Sequence, residues 1–284
     1  MSLLDRLPVP ANSFAFVPWR AGGQVAGYVR PGIRDRLLQE QALFVEAGNG
    51  IALHPDVDAQ GPGGRSAAIM PLVQVLHEEG LTQAWRDEPY AVMADLGSPL
   101  LMTVERAAVP LLGTIGLGVH INGYRRDPDG LKMWLGRRAL DKPTGAGKLD
   151  QVVAGGQPYG ITLADNIAKE CAEEAGFDFL LAGSARPCGA VSYVTERKEG
   201  LRRDVLYVFD LEIPEGVIPE NTDGEVEDFR LWPVEKVLET LETGDAFKFN
   251  CALVALDFLI RHGVISPEHP AYNQLLCGLH QPVG

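Results

Sequence analysis

Apolar residues recur every three or four positions in "IRDRLLQEQ" from Ile33 and in "LVQVLHEEGLTQAW" from Leu72, a spacing that predicts two amphipathic helices. Between them "HPDVDAQGPGGRSA", rich in Gly, Pro and Asp, reads as a loop, and upstream "QVAGYVRPG" reads as a strand entering a turn. Further along, "GVHINGYRR" and "LKMWLGRRA" predict two strands joined by "DPDG", whose proline presets φ and whose glycine accepts unusual backbone angles. A hairpin is expected. "QVVAGGQPYG" then predicts a short strand running into a Gly-Gly turn, and "TLADNIAKECAEEAGF" a helix. Thr162 can cap that helix, Asp165 favours its positive end, and Gly176 stops it. "FNCALVALDFLIRHG" from Phe249 is an amphipathic helix of core type, ended by Gly263.

The texture changes at Leu111 and divides the chain. We expect a lead-in over residues 1–16, a smaller α+β accessory domain over 17–110, and a second α/β domain over 111–284. Two domains suit 284 residues, and 46% hydrophobic with 22% charged residues is a globular composition. In the first third His54 and His77 are isolated, and "GPGG" followed by Arg lacks the Gly-Lys-Ser/Thr end of a P-loop.

The net charge of −13 argues against a grip on polymeric nucleic acid, so an anionic ligand needs a metal ion or a local basic group. Cys171, Cys188, Cys251 and Cys277 form no C-x-x-C pair and read as buried thiols. "MSLLDRLPVP" lacks the basic start and apolar run of a secretory signal, and "VPLLGTIGLGVHI" is too short to span a bilayer. A reducing cytoplasm and no membrane are the expectation.

On the wheel of the helix after Thr162, Ile167, Cys171 and Ala175 share a buried face with Ala164 and Ala168. Glu170, Glu173 and Glu174 occupy an adjacent arc. Repulsion among them costs only about 0.2–0.5 kcal/mol per pair, so energy alone does not separate a solvated acidic face from a cation site.

The wider pattern does. Gly155, Lys169, Glu170, Glu173, Glu174, Gly176 and the apolar Phe177 resemble the Nudix box, G-x5-E-x7-R-E-U-x-E-E-x-G-U with U apolar, and Gly156 completes its Gly-Gly turn. "WLGRR" and "GEVEDFRLWPVEKV" resemble the flanks of a Nudix (MutT-like) domain. "VERAA", "GVHINGY" and "GKLDQVVAGG" resemble the subfamily with an extra N-terminal domain, often labelled thiamine pyrophosphokinase-like. The resemblance implies an α/β/α sandwich around a mixed sheet that hydrolyses a diphosphate with Mg2+ or Mn2+, thiamine diphosphate analogues being one suggested substrate class. Two positions depart from it. Ile161 stands where the first motif glutamate belongs, and Lys169 replaces an arginine, losing the planar fork that can brace a carboxylate.

Mg2+ is bound by a few carboxylates together with phosphate and water oxygens. Glu170 and Glu174, one turn apart, suit that role, with Glu173 beside them. A further carboxylate, ligand or general base, is expected from "DGEVED", with Glu225 preferred over Glu227. Arg137, Arg138 and Lys148 are candidates for substrate phosphates or ordinary surface charges. Tyr193 either stacks on a substrate ring or packs in the core. The expected partner is a small-molecule diphosphate; oligomeric state is open, a homodimer included. The alternatives are a hydrolase of nucleoside diphosphate-linked substrates, a Nudix-fold isomerase, and a non-catalytic Nudix-like binding module, which Ile161 favours.

Overall fold

The structure is a computed structural model that describes every residue except Met1, Pro10, Ser13, Phe14, Gln83 and Pro143. Parts of the lead-in, and Gln83 of the segment expected as a helix from Leu72, therefore lie outside the described residues. The first elements are β1 (Val17–Ala21), β2 (Gln24–Val29), α1 (Pro31–Leu37), β3 (Phe44–Ala47) and β4 (Gly50–Leu53). Their strands form a sheet in the order β2-β1-β4-β3, with β1 and β4 parallel. Then come α2 (Pro55–Asp58), α3 (Gly61–Glu78), the antiparallel pair β5 (Pro89–Val92) and β6 (Met102–Glu105), and α4 (Val109–Leu112). Trp19, Phe44, Ile51, Ile69 and Met102 are buried together at the centre of this unit.

Two segments of this unit differ from what the sequence predicts. The segment expected as a loop over 54–67 contains α2 and the first turns of α3. Pro55 and Pro62 sit in first turns, where a missing N–H costs nothing, and His54 Nδ1 caps α2 by accepting from the Asp56 amide at 3.3 Å. The helix expected through Trp85 stops at Glu78, because Gly80 takes a left-handed φ of 76° and Leu81 N closes back on Leu76 O at 3.0 Å.

The second unit holds β7 (Ile115–Asp127), β8 (Gly130–Arg138), β9 (Leu149–Asp150), β10 (Val153–Gly156), α5 (Leu163–Ala175), α6 (Phe179–Ala182), β11 (Arg186–Arg197), β12 (Gly200–Glu212), β13 (Val226–Pro233), α7 (Val234–Thr243), α8 (Phe249–Arg261) and α9 (Tyr272–Leu279). The expected hairpin is β7–β8, and the mixed sheet runs β11-β12-β7-β8-β13, with β12 and β7 parallel and β10 laid against β7. Alternation along the strands divides the core. Val119, Ile121, Val153 and Leu211 face Ile167 and Cys171 of α5, while Leu135, Val191, Leu206 and Val208 face Leu253 and Phe258 of α8. The result is a mixed α/β fold, helices on both faces of the sheet, preceded by an accessory unit.

The lead-in is anchored on this second unit: Leu3 joins the α8 core, and Arg6 Nε donates to Leu241 O at 2.8 Å. Among the described residues, no helix is long and apolar enough to cross a membrane.

Candidate metal and phosphate site

The site begins with a short edge strand and the helix after it. Thr162 Oγ1 accepts from the Asp165 amide at 3.1 Å, which starts α5, and Gly176, at φ 66°, ends it. Buried Asn166 ties the helix to β10 by donating to Gly156 O at 2.7 Å and to Gln157 Oε1 at 3.1 Å. These bonds set the acidic arc of α5 against the Gly-Gly strand.

Glu174 is 9% exposed, and its Oε2 accepts from the Ala154 amide at 2.8 Å. Burial pushes its carboxyl well above the usual range, and the nearby charges of Asp150, Glu170 and Glu225 push the same way. Glu170 lies against Gly155, where an added Cβ would meet its carboxyl group, so the glycine leaves room for the carboxyl to sit on the strand. Burial raises Glu170 too, against the pull of Lys169. Glu173 is 51% exposed. Lys169 Nζ stands 3.2 Å from Glu170 and 3.4 Å from Glu173, a cation already seated between two of the box carboxylates. Three carboxylates are donors of the kind a divalent cation takes, and Lys169 is the positive charge beside two of them here, although among the described residues the three do not bring their oxygens within 4.8 Å of one another.

At the position of the missing motif glutamate, Ile161 is 38% exposed. The loop is braced by other means. Gln157 N donates to Leu117 O at 2.9 Å, Gln157 Nε2 to Ile161 O at 2.9 Å, and Tyr159 N to Pro89 O, on the accessory unit, at 2.7 Å.

The remaining candidates are dispersed. Glu225 reaches the site's edge, close enough for its charge to act on Glu174; burial raises its carboxyl, but Lys142, 2.6 Å away, brings it below the usual range. Arg137 pairs with Glu227 at 3.5 Å, Arg138 with Asp150 at 2.9 Å, and Lys148 with Asp245 at 2.8 Å. Tyr193 is 1% exposed, donates to Asp204 Oδ2 at 2.7 Å and meets Phe249 edge-on, which gives it a core position. Sequence reasoning did not single out Lys142, or Tyr90 and Arg106 of the accessory unit, which stand over Gly156. "VERAA" contained Arg106 only as part of a resemblance.

A second polar group lies on the α8 face. His120, Asp150 and Cys251 bring their ligand atoms within 4.8 Å of one another. Here the protein supplies every partner. Asp150 meets Arg138 at 2.9 Å and Lys248 at 3.5 Å, Cys251 Sγ donates to Asp150 Oδ1 at 2.6 Å, and His120 Nδ1 bonds Gln151 Oε1 at 2.8 Å. Burial would raise Asp150, but Lys248 and Arg138 hold it well below the carboxylate range, whereas burial raises the Cys251 thiol. With two cations and a thiol hydrogen bond on the Asp150 carboxylate, the protein itself already satisfies this group.

Burial lowers His120 to about 4, opposed by Asp150 and assisted by Lys248. The unfolded chain takes up this proton near pH 6.5, the folded chain only near 4, so stability is full above 6.5 and is lost as pH falls toward 4. The loss from this group is about 3 kcal/mol. Denaturant titrations at pH 7.5, 5.5 and 4.5 should show H120Q losing less stability on acidification than wild type; parallel losses would contradict the assignment.

Glu170 and Glu174 of α5 thus lie against the Gly-Gly strand β10, behind one face of the mixed sheet. The NUDIX domain model matches residues 117–252, and the Domain of unknown function (DUF4743) model matches 5–115. Nudix hydrolase 20, chloroplastic, of Arabidopsis thaliana is 40% identical, across 92% of this chain and 71% of its own length. Nudix hydrolase 24, chloroplastic, of the same plant is 40% identical, with the same coverage of 92% and 71%. Among solved structures, a MutT protein from Methanosarcina mazei aligns over 51% of this chain and 94% of its own at a TM-score of 0.38 and 21% identity. The chain belongs to the Nudix hydrolase family.

Proposed function

We propose that the protein hydrolyses the diphosphate bond of a small organic diphosphate with Mg2+ or Mn2+, and that a thiamine diphosphate analogue is its substrate class. The observation that carries the reading is the seating of the Glu170 carboxyl group against Gly155, with Glu174 alongside on the Ala154 amide. Glu170 and Glu174 would hold the cation, with Glu173 beside them. When bound, the ion neutralises phosphate charge and acidifies a water.

The chain's own groups do the rest. The Ala154 amide fixes the carboxylate of Glu174 in place, so that little reorganisation is left for the reaction. Glu225 is our candidate for the proton of the attacking water, and Lys142 sets how readily it is released to do so. Arg137, held by Glu227 only at 3.5 Å, is our first choice for a substrate phosphate among the basic residues expected from sequence; Arg138 and Lys148 are held more closely, by Asp150 at 2.9 Å and Asp245 at 2.8 Å. We place the protein in a reducing compartment, the cytoplasm, on its free Cys171, Cys188, Cys251 and Cys277, and we propose membership of the thiamine pyrophosphokinase-like subfamily on the motifs around Arg106 and Gly118.

The test is release of phosphate and monophosphate from thiamine diphosphate and its analogues, nucleotide sugars, ADP-ribose and dinucleotides, with Mg2+, Mn2+ or EDTA. Turnover that needs metal and favours the thiamine compounds is expected. Exposed Ile161 favours the second reading, a binding module, which predicts metal-independent binding and no release.

A further inference from the structure

Gly155 and Gly156 are consecutive on β10, so their missing Cβ atoms point to opposite faces of the strand. The first position is filled by the Glu170 carboxyl group. The second is filled from the accessory unit: an added Cβ on Gly156 would strike the Tyr90 hydroxyl and come within 3.1 Å of the Arg106 guanidinium carbon. An acid of the box and an arginine of the other unit thus flank the end of one edge strand, without pairing with each other among the described residues.

Arg106 is built into place. Buried Glu105 accepts from the Arg86 amide at 2.9 Å, the Glu88 amide at 3.0 Å and the Ala107 amide at 3.3 Å, which locks the entry to β5 onto the turn that carries Arg106. Glu88 Oε2 takes Arg106 Nη1 at 2.9 Å, and the guanidinium carbon stands 5.9 Å from the centre of the Tyr90 ring. Its Nε and Nη2 have no hydrogen-bond partner among the described residues, and 40% of the side chain is open to solvent. Pro89 O, next in sequence to Glu88, holds the Tyr159 amide of the box loop at 2.7 Å, so the arginine and the loop are registered on each other. A preorganised guanidinium whose Nε and Nη2 form one free edge, one strand's thickness from a carboxylate cluster, matches a phosphate held between a cation and a fork of N–H donors.

We propose that Arg106 binds the substrate's phosphate oxygens, positioned by Glu88 and Tyr90, and that the accessory unit thereby completes the hydrolase site. This rests on the diphosphate reading above and assigns to the accessory unit a direct part in it.

The experiment measures binding of methylenediphosphonate, which cannot be hydrolysed, to the full chain with Mg2+ by calorimetry, together with thermal unfolding and substrate KM. R106Q should weaken binding about 10- to 100-fold and raise KM correspondingly, with little change in Tm. R106K, which keeps the charge and serves if R106Q fails to fold, should weaken it about three- to tenfold, since an ammonium cannot present two parallel donors. Unchanged affinity in both variants, or a lowered Tm with unchanged affinity, would make Arg106 a strut between the units and overturn the proposal. E174Q separates the two readings. Turnover lost in E174Q but indifferent to Arg106 keeps the hydrolase and removes this role. Binding that depends on Arg106 in a protein without turnover keeps the phosphate contact and removes the hydrolase.

Discussion

E174Q should retain the fold and lose metal-dependent turnover by about a hundredfold to ten-thousandfold, the range that a positioned ionisable group commands. The amide oxygen can still accept from Ala154 N, which the carboxylate does at 2.8 Å, so β10 and α5 stay joined. What disappears is the negative charge. Nor does the native carboxylate earn its place by stability, since it is 9% exposed with Asp150, Glu170 and Glu225 as near charges. Removing it should leave Tm equal or higher, while a structural Glu174 would lower it. E173Q is the control: that side chain is 51% exposed, and its loss should cost less than E174Q. Steady-state assays at saturating Mg2+ and Mn2+, with calorimetric Tm, check both; an E174Q enzyme within about threefold of wild type would remove Glu174 from the cation site.

The second large effect is on stability. Trp19 is fully buried, meets Phe44 edge-on with ring centres 6.4 Å apart, and donates its indole N–H to Leu112 O at 2.7 Å. Gly27 leaves it room, for a Cβ there would stand 2.5 Å from Nε1. W19A should cost about 3–5 kcal/mol, as large aromatic deletions in packed cores do. W19F should recover most of the packing but not the bond to Leu112, whose buried carbonyl is then left unpaired at about 1–3 kcal/mol. Chemical denaturation of the full chain measures both. A loss below about 1 kcal/mol in W19A would mean that the accessory core collapses around the gap. Because Leu112 ends α4 immediately before β7, such a variant also tests whether the two units unfold together.

The helix of the site was fully legible. Thr162, the apolar stripe through Ile167 and Cys171, and Gly176 are local signals, and α5 spans Leu163–Ala175 between them. The β7–β8 hairpin was legible for the same reason, the turn residues lying between two alternating runs. The stretch over 54–67 was misread because its glycines and prolines suggest a loop, whereas Pro55 and Pro62 open helices in which proline loses no bond. Composition did not reveal position within a turn.

The sequence by itself determined the α/β class, the box helix and the acids on one arc of it, since periodicity and capping act within a few residues. It also carried the absence of the first motif glutamate at Ile161. Tertiary structure alone decided which acids are buried, that Lys169 turns onto Glu170 and Glu173, and that Arg138 is taken up by Asp150. It decided too that Tyr90 and Arg106 meet Gly156. Such contacts join segments far apart in the chain, and they depend on strand order and on which face each alternating residue presents, neither of which any short window of sequence specifies.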